Sequence, residues 1–181
     1  MYLLSLIIAC GPKAVLESNS PPPPAQLNEV MLEEGLVEQQ IDINGDGAAD
    51  VFNHYRIREG ASRLLVYKKV DLNWDGKPDV QTWFDVTGEI EKEALDGDFD
   101  GIAEWVDHYK NSTIVMSEVD TNFDGVYDLF RYYEKQKLKR KEQDTDGDGN
   151  IDFWQYFGQD GTVTKTGQDI DGDGEMDIRN D

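Results

Sequence analysis

One cysteine, Cys10, and two histidines, His54 and His108, are all that 181 residues offer of thiolate or imidazole. A single thiol excludes an intrachain disulfide, and two histidines leave little for general acid–base chemistry. Basic residues are also scarce: 17 Lys and Arg stand against 38 Asp and Glu, a formal charge of −21. The one basic cluster is the short run 135–141, so no nucleic-acid partner is expected. No apolar run reaches the roughly 20 residues that a bilayer-spanning helix needs. Phosphate-cradling glycine loops and nucleophile elbows are missing too. Carboxylates are so numerous that any two could mimic a glycosidase pair, and that resemblance carries no weight. An enzyme is therefore not expected.

What the chain has in excess is one pattern, Asp-x-Asp/Asn-x-Asp-Gly-x-x-Asp/Glu, returning six times, 24 to 29 residues apart. The first copy supplies Asp42, Asn44, Asp46 and Asp50, and the second Asp71, Asn73, Asp75 and Asp79. The third supplies Asp96, Asp98, Asp100 and Glu104, and the fourth Asp120, Asn122, Asp124 and Asp128. The fifth supplies Asp144, Asp146, Asp148 and Asp152, and the sixth Asp169, Asp171, Asp173 and Asp177. Oxygen ligands at positions 1, 3, 5 and 9 around a glycine at 6 suit one hard cation. Calcium takes six to eight oxygens, and the EF-hand loop begins the same way. Magnesium demands a tighter octahedron, and transition metals prefer nitrogen or sulfur that these loops lack. Up to six Ca2+ are thus expected, which would bring the charge from −21 to −9.

A loop closed on itself without compensation is costly. Four carboxylates make six pairs, each worth about 1 to 4 kcal/mol of repulsion near 4 Å, on the order of 6 to 24 kcal/mol per loop. A small domain is stable by only about 5 to 15 kcal/mol, so a bound cation is expected to be needed for folding. Copies five and six, with four Asp each, look strongest. The missing Glu at position 12 leaves fewer protein oxygens and implies affinity between micromolar and millimolar.

Each loop leads into the same kind of segment. Position 10 is always apolar (Val51, Val80, Trp105, Leu129, Phe153, Ile178), and position 14 is aromatic wherever it exists (Tyr55, Phe84, Tyr109, Tyr133, Phe157). Such aromatic-rich runs favour strands. Turn signals follow at Thr87-Gly88, Asn111-Ser112 and Asp160-Gly161, then a second extended run such as 64–70 or 113–119. The expected fold is all-β: tandem antiparallel β-hairpin repeats linked by acidic calcium-binding loops, an antiparallel meander over residues 36–181. Paired helices, as in an EF-hand or dockerin-like module, are the alternative. They would require a bidentate Glu at position 12, where the chain has Asn53, Thr82, Asp107, Arg131, Gln155 and Asn180. Only the stretch 129–143 could be drawn as a helix.

The Asp-rich copies resemble thrombospondin type 3 repeats and the Asp-x-Asp-x-Asp-Gly arrays of bacterial surface proteins. With an aromatic strand after each loop, residues 42–181 look similar to arrays in predicted lipoproteins of predatory and gliding bacteria. The resemblance implies location and calcium use more than an activity. At the start, residues 2–9 are apolar apart from Ser5, and Ile7-Ile8-Ala9-Cys10-Gly11 resembles the lipobox of bacterial lipoproteins. That implies a signal peptide over 1–9, short and without a leading Lys or Arg, and a lipidated Cys10 holding the chain to the membrane. Residues 10–35 then read as a linker, stiffened into polyproline II by Pro21, Pro22, Pro23 and Pro24. Gly11, rather than Asp, after the cysteine points to the outer membrane.

Three classes of role follow. The leading one is a calcium-binding, lipid-anchored envelope protein acting as a structural spacer or interaction surface, with a protein or envelope partner in motility, secretion or adhesion. The second is a glycan- or peptide-binding module using Trp74, Trp83, Trp105 and Trp154, against which stands their packing between neighbouring hairpins. The third is an enzyme. It is disfavoured because His54 and His108 fall on the repeat position held elsewhere by Trp83, Tyr132 and Tyr156.

Overall fold

A computed structural model of the chain describes residues 25–180. Residues 1–9, read above as a signal peptide, Cys10 and the four consecutive prolines lie outside the described residues. Thirteen strands follow one another: β1 (Ala25–Glu33), β2 (Leu36–Asp42), β3 (Val51–Arg56), β4 (Leu64–Val70), β5 (Val80–Phe84), β6 (Ile90–Leu95) and β7 (Trp105–Lys110). The remainder are β8 (Thr113–Val119), β9 (Leu129–Glu134), β10 (Lys137–Gln143), β11 (Phe153–Phe157), β12 (Val163–Gln168) and β13 (Ile178–Asn180). They form one antiparallel sheet in sequence order, and the described residues contain no helix. The fold is the all-β meander of hairpins that the repeats imply, and the paired-helix alternative is overturned. Residues 129–143, the one stretch drawable as a helix, are β9 and β10. The sheet already begins at Ala25, within the stretch read as linker.

Register explains why the repeat carries an apolar residue at position 10. Directly opposed residues share a face. Pairing aligns Ile41, Val51, Val70, Val80, Leu95, Trp105, Val119 and Leu129 into one apolar row beside the acidic loops. The next row on that face is polar and satisfied within itself: Asn53 donates to Gln39 at 3.1 Å and Thr82 to Glu93 at 3.1 Å. The opposite face carries the position-13 ladder. There His54 meets Tyr67 edge-on at 5.2 Å, Tyr67 lies 5.0 Å from Trp83, and Lys92 sits 3.9 Å over the Trp83 ring.

The sheet is a single layer. Each described strand touches only its neighbours in sequence, so no second sheet covers either face. Few hydrocarbon side chains are therefore buried: Val37, Val51, Ala94, Val106, Val119 and Leu129. Among the described residues, buried polar and charged residues outnumber them twelve to six, and the most deeply buried side chains are Asp50, Asp79 and Ser117. The interior of this protein lies in its acidic loops rather than in an oily core.

Two devices shape the hairpins. Asn111-Ser112 and Lys135-Gln136 both have positive φ at each central residue (+51° and +55°, +52° and +62°), the type I′ turn that matches strand twist. One extra residue sits in the second strand of each repeat hairpin, at Val66, Glu91, Val115, Lys139 and Thr164. Such bulges at a fixed repeat position strengthen the twist. The long first edge is tied down where Arg63, beyond β3, pairs with Glu29 on β1.

Candidate metal centres

Because the acidic loops join even-numbered strands to odd-numbered ones, all six lie at one end of the sheet, and the hairpin turns lie at the other. Two strand spacings separate successive loops, about 10 Å in an ordinary sheet. The loops are also bonded to each other through backbone. The amide of Asp71 donates to the carbonyl of Asp50 at 2.8 Å, joining position 1 of one loop to position 9 of the last. The same bond recurs at Asp96, Asp120, Asp144 and Asp169, at 2.8 to 3.0 Å.

Within a loop the carboxylates organise the backbone. Asp42 Oδ1 accepts the N–H of Gly45 at 2.5 Å and Oδ2 that of Gly47 at 2.9 Å. The other five position-1 residues accept the same two bonds. Position 5 accepts from position 7 in every loop. Position 9 accepts from position 2 in every loop, including Glu104 from Gly97 at 2.6 Å. The longer Glu104 arm thus does the work of an Asp. Gly at position 6 has φ between +83° and +101° throughout, a region that glycine enters at least cost.

These N–H donors change the electrostatic balance. Burial pushes the Asp144 carboxyl up, but the N–H groups of Gly149, Gly147, Asp146 and Asp148 outweigh it and hold the group below its usual range. At Asp75 the N–H of Lys77 leads the same downward shift. A hydrogen bond to an ionised group contributes about 1.5 to 3 kcal/mol, so part of the mutual repulsion is met by backbone. Some of these oxygens, such as Asp79 Oδ2, accept two N–H groups, whereas others, such as Asp42 Oδ1, accept one and keep a second lone pair. The loops thus remain sets of hard oxygens, and in the first four loops positions 1 and 9 are buried while position 5 is exposed.

Three clusters draw together closely enough to hold a metal ion. Asp96, Asp98, Asp100 and Glu104 bring ligand atoms within 4.8 Å of one another, as do Asp144, Asp146 and Asp152, and Asp169, Asp171 and Asp177. Only the third loop gathers all four of its acids. Asp148 and Asp173 stand apart from the clusters of loops five and six, which composition alone ranks first. In loops one, two and four the Asn at position 3 turns its amide onto the acid at position 5: Asn44 to Asp46, Asn73 to Asp75 and Asn122 to Asp124, at 3.1 to 3.2 Å. A hydrogen bond there replaces a like-charge contact.

The second loop contributes the most direct sign of a missing partner. Asp79 is 2% exposed, and its Oδ2 accepts the N–H groups of Leu72 and Asn73 at 2.5 and 3.1 Å. Its Oδ1 is buried and meets no hydrogen-bond donor. A buried carboxylate oxygen with nothing opposite it is unstable, and a hard cation held with Asp71, Asn73 and Asp75 would answer it.

Sequence patterning missed position 4. Gly45, Gly147 and Gly172 occupy it in loops one, five and six, but loops two to four place Trp74, Phe99 and Phe123 there, all at positive φ. Aligning that column across the repeats was the available signal. The two histidines are strand residues: His54 Nε2 lies 2.9 Å from Glu38 and His108 Nε2 3.3 Å from Glu118. Burial lowers the His54 pKa, with Glu38 pulling the other way. Among the described tryptophans, Trp83, Trp105 and Trp154 are half-buried in the sheet and Trp74 is exposed.

No family model matches the chain, and no curated protein matches it. One solved structure with some likeness is that of an S. aureus TarM mutant in complex with Fondaparinux, alpha-GlcNAc-glycerol and UDP. Sequence identity is 11%, the match covers 75% of this chain and 20% of that one, and the TM-score is 0.26. The chain thus spans about a fifth of that protein's length, and a likeness this slight carries no argument.

Proposed function

We propose that the chain is a calcium-binding, lipid-anchored protein of the bacterial outer membrane that serves, without catalytic activity, as a structural spacer or interaction surface. The observation that carries this reading is that two of the three best-buried side chains among the described residues, Asp50 and Asp79, are loop carboxylates, and Asp79 has a buried oxygen without a hydrogen-bond partner. A single-layer sheet with so few buried hydrocarbons needs another source of cohesion. Cations between loops that are already hydrogen-bonded to one another would supply it. Calcium fits because every donor is a hard oxygen and the sites are loops able to adjust to six to eight ligands. The anchor rests on the lipobox-like residues around Cys10.

Calorimetric titration of the purified chain should give up to six calcium ions and no comparable heat with magnesium. Absence of calcium heat would remove the metal reading. Radiolabelled palmitate should attach to the wild type and not to Cys10→Ala; equal labelling would remove the anchor. A glycan- or peptide-binding role is the second reading, supported by the half-exposed ladder of Trp83, Tyr132 and Tyr156 on an uncovered face. Lys92, Arg140 and Lys165 already lie over those rings at 3.9, 4.1 and 5.4 Å, which favours the packing role.

A further inference from the structure

We propose that loops two, three and four form a cation-dependent docking edge for a phospholipid surface, an inference that rests on the metal reading above. The starting point is the internal comparison at position 4. Trp74, Phe99 and Phe123 hold φ of +64°, +68° and +63°, where loops one, five and six use Gly45, Gly147 and Gly172. The same loop is thus built with glycine, which suits left-handed backbone, and a bulky side chain there is disfavoured. Nor does packing account for the aromatics: they are 61%, 42% and 59% exposed.

More apolar surface surrounds them. Leu72, Ile102 and Val126, on the same three loops, are also at least half exposed. Ile102 and Val126 stand at position 7, where loops five and six carry Asn150 and Glu175; Leu72 stands at position 2, where loops one and six also expose Ile43 and Ile170. The three loops are physically continuous. Lys77 of loop two donates to the carbonyl of Asp100 in loop three at 2.7 Å, and Ile102 of loop three lies against Gly125 of loop four. Apolar tips and acidic sites therefore alternate along one row.

The occupant must satisfy both. Each loop offers four side-chain ligands where calcium takes six to eight oxygens, so a bound ion has places for hard oxygen from outside. A free phosphate supplies such oxygen and leaves the aromatics in water. A second copy of this edge would set its acids against equivalent acids, a like-charge contact that opposes association. A phospholipid surface offers phosphate oxygens to the ions and, just beneath, the interfacial layer in which aromatic side chains settle. Without ions the same acids repel a negatively charged headgroup layer, so docking follows the cation.

The test is flotation of the full chain with phosphatidylcholine–phosphatidylglycerol vesicles, with calcium or with EDTA, alongside calcium calorimetry on the same samples. The comparison variant is Trp74→Gly/Phe99→Gly/Phe123→Gly, which places at each site the residue that loops one, five and six already use. Wild type should float with calcium and be released by EDTA. The variant should keep the calcium stoichiometry and lose about tenfold or more of the calcium-dependent affinity, as expected when three aromatic anchors are withdrawn. Any binding by the N-terminal apolar residues is common to both chains and to EDTA, and drops out of the difference. Calcium binding without flotation overturns the proposal and leaves the metal reading intact. Equal flotation by the variant also overturns it, as does calcium-driven sedimentation without vesicles, which would identify a second copy as the occupant. If the wild type takes up no calcium, both readings fall together.

Discussion

Asp79→Ala is expected to destabilise the sheet by about 2 to 6 kcal/mol. The cost arises because two N–H groups in part-buried hydrogen bonds, those of Leu72 and Asn73, lose the oxygen that receives them, at about 1 to 3 kcal/mol each. The variant also deletes the one buried carboxylate oxygen among the described residues that has no hydrogen-bond partner, so one calcium site should vanish. Asp79→Asn separates the two effects. Its carbonyl oxygen can still accept both N–H groups, while its amide fills the place of Oδ1 and has no lone pair for an ion. With calcium present, the Asn variant should therefore lose less stability than the Ala variant and still bind one calcium fewer than wild type. Urea unfolding and calorimetry measure both. An Ala variant as stable as wild type would show that the buried carboxylate holds nothing.

Deleting residues 96–119 is expected to leave a folded protein one repeat shorter. The cut removes loop three with β7 and β8 and joins Leu95 to Asp120. β6 then meets β9 in the register it used for β7, with Leu95 opposite Leu129 in place of Trp105. This succeeds only if cohesion is local, as in other linear arrays, and here each strand touches none but its neighbours. Strand circular dichroism per residue should be unchanged and calcium stoichiometry should fall by one. An unfolded or aggregated deletion variant would reveal long-range contacts that a single-layer sheet does not have.

Much of this architecture was legible because the repeat fixes it several times over. Gly at position 6 announced positive φ, apolar position 10 announced the row from Ile41 to Leu129, and strands at Leu64–Val70 and Thr113–Val119 fall where patterning places them. The turn at Lys135-Gln136 was not legible, since neither residue favours left-handed backbone; the pairing of β9 with β10 imposes it. The bulges at Val66 and its equivalents share no single residue type, so composition does not mark them. Ranking the loops by charge puts five and six first, and both do bring three acids together, but side-chain reach also counts. Glu104 completes a four-acid cluster with Asp96, Asp98 and Asp100, whereas the all-Asp loop around Asp148 does not. The repulsion reckoned from carboxylates alone left out the N–H groups that every loop turns onto them.

A strand spectrum recorded through exhaustive chelation at neutral pH and then through calcium restoration tests the account most directly. The described sheet should lose its signal with EDTA, regain it with calcium and fail to regain it with magnesium. A chain that keeps both its spectrum and its melting temperature after the divalent ions are gone would mean that buried carboxylates are stable here on hydrogen bonds alone, and the metal-pinned sheet would be wrong.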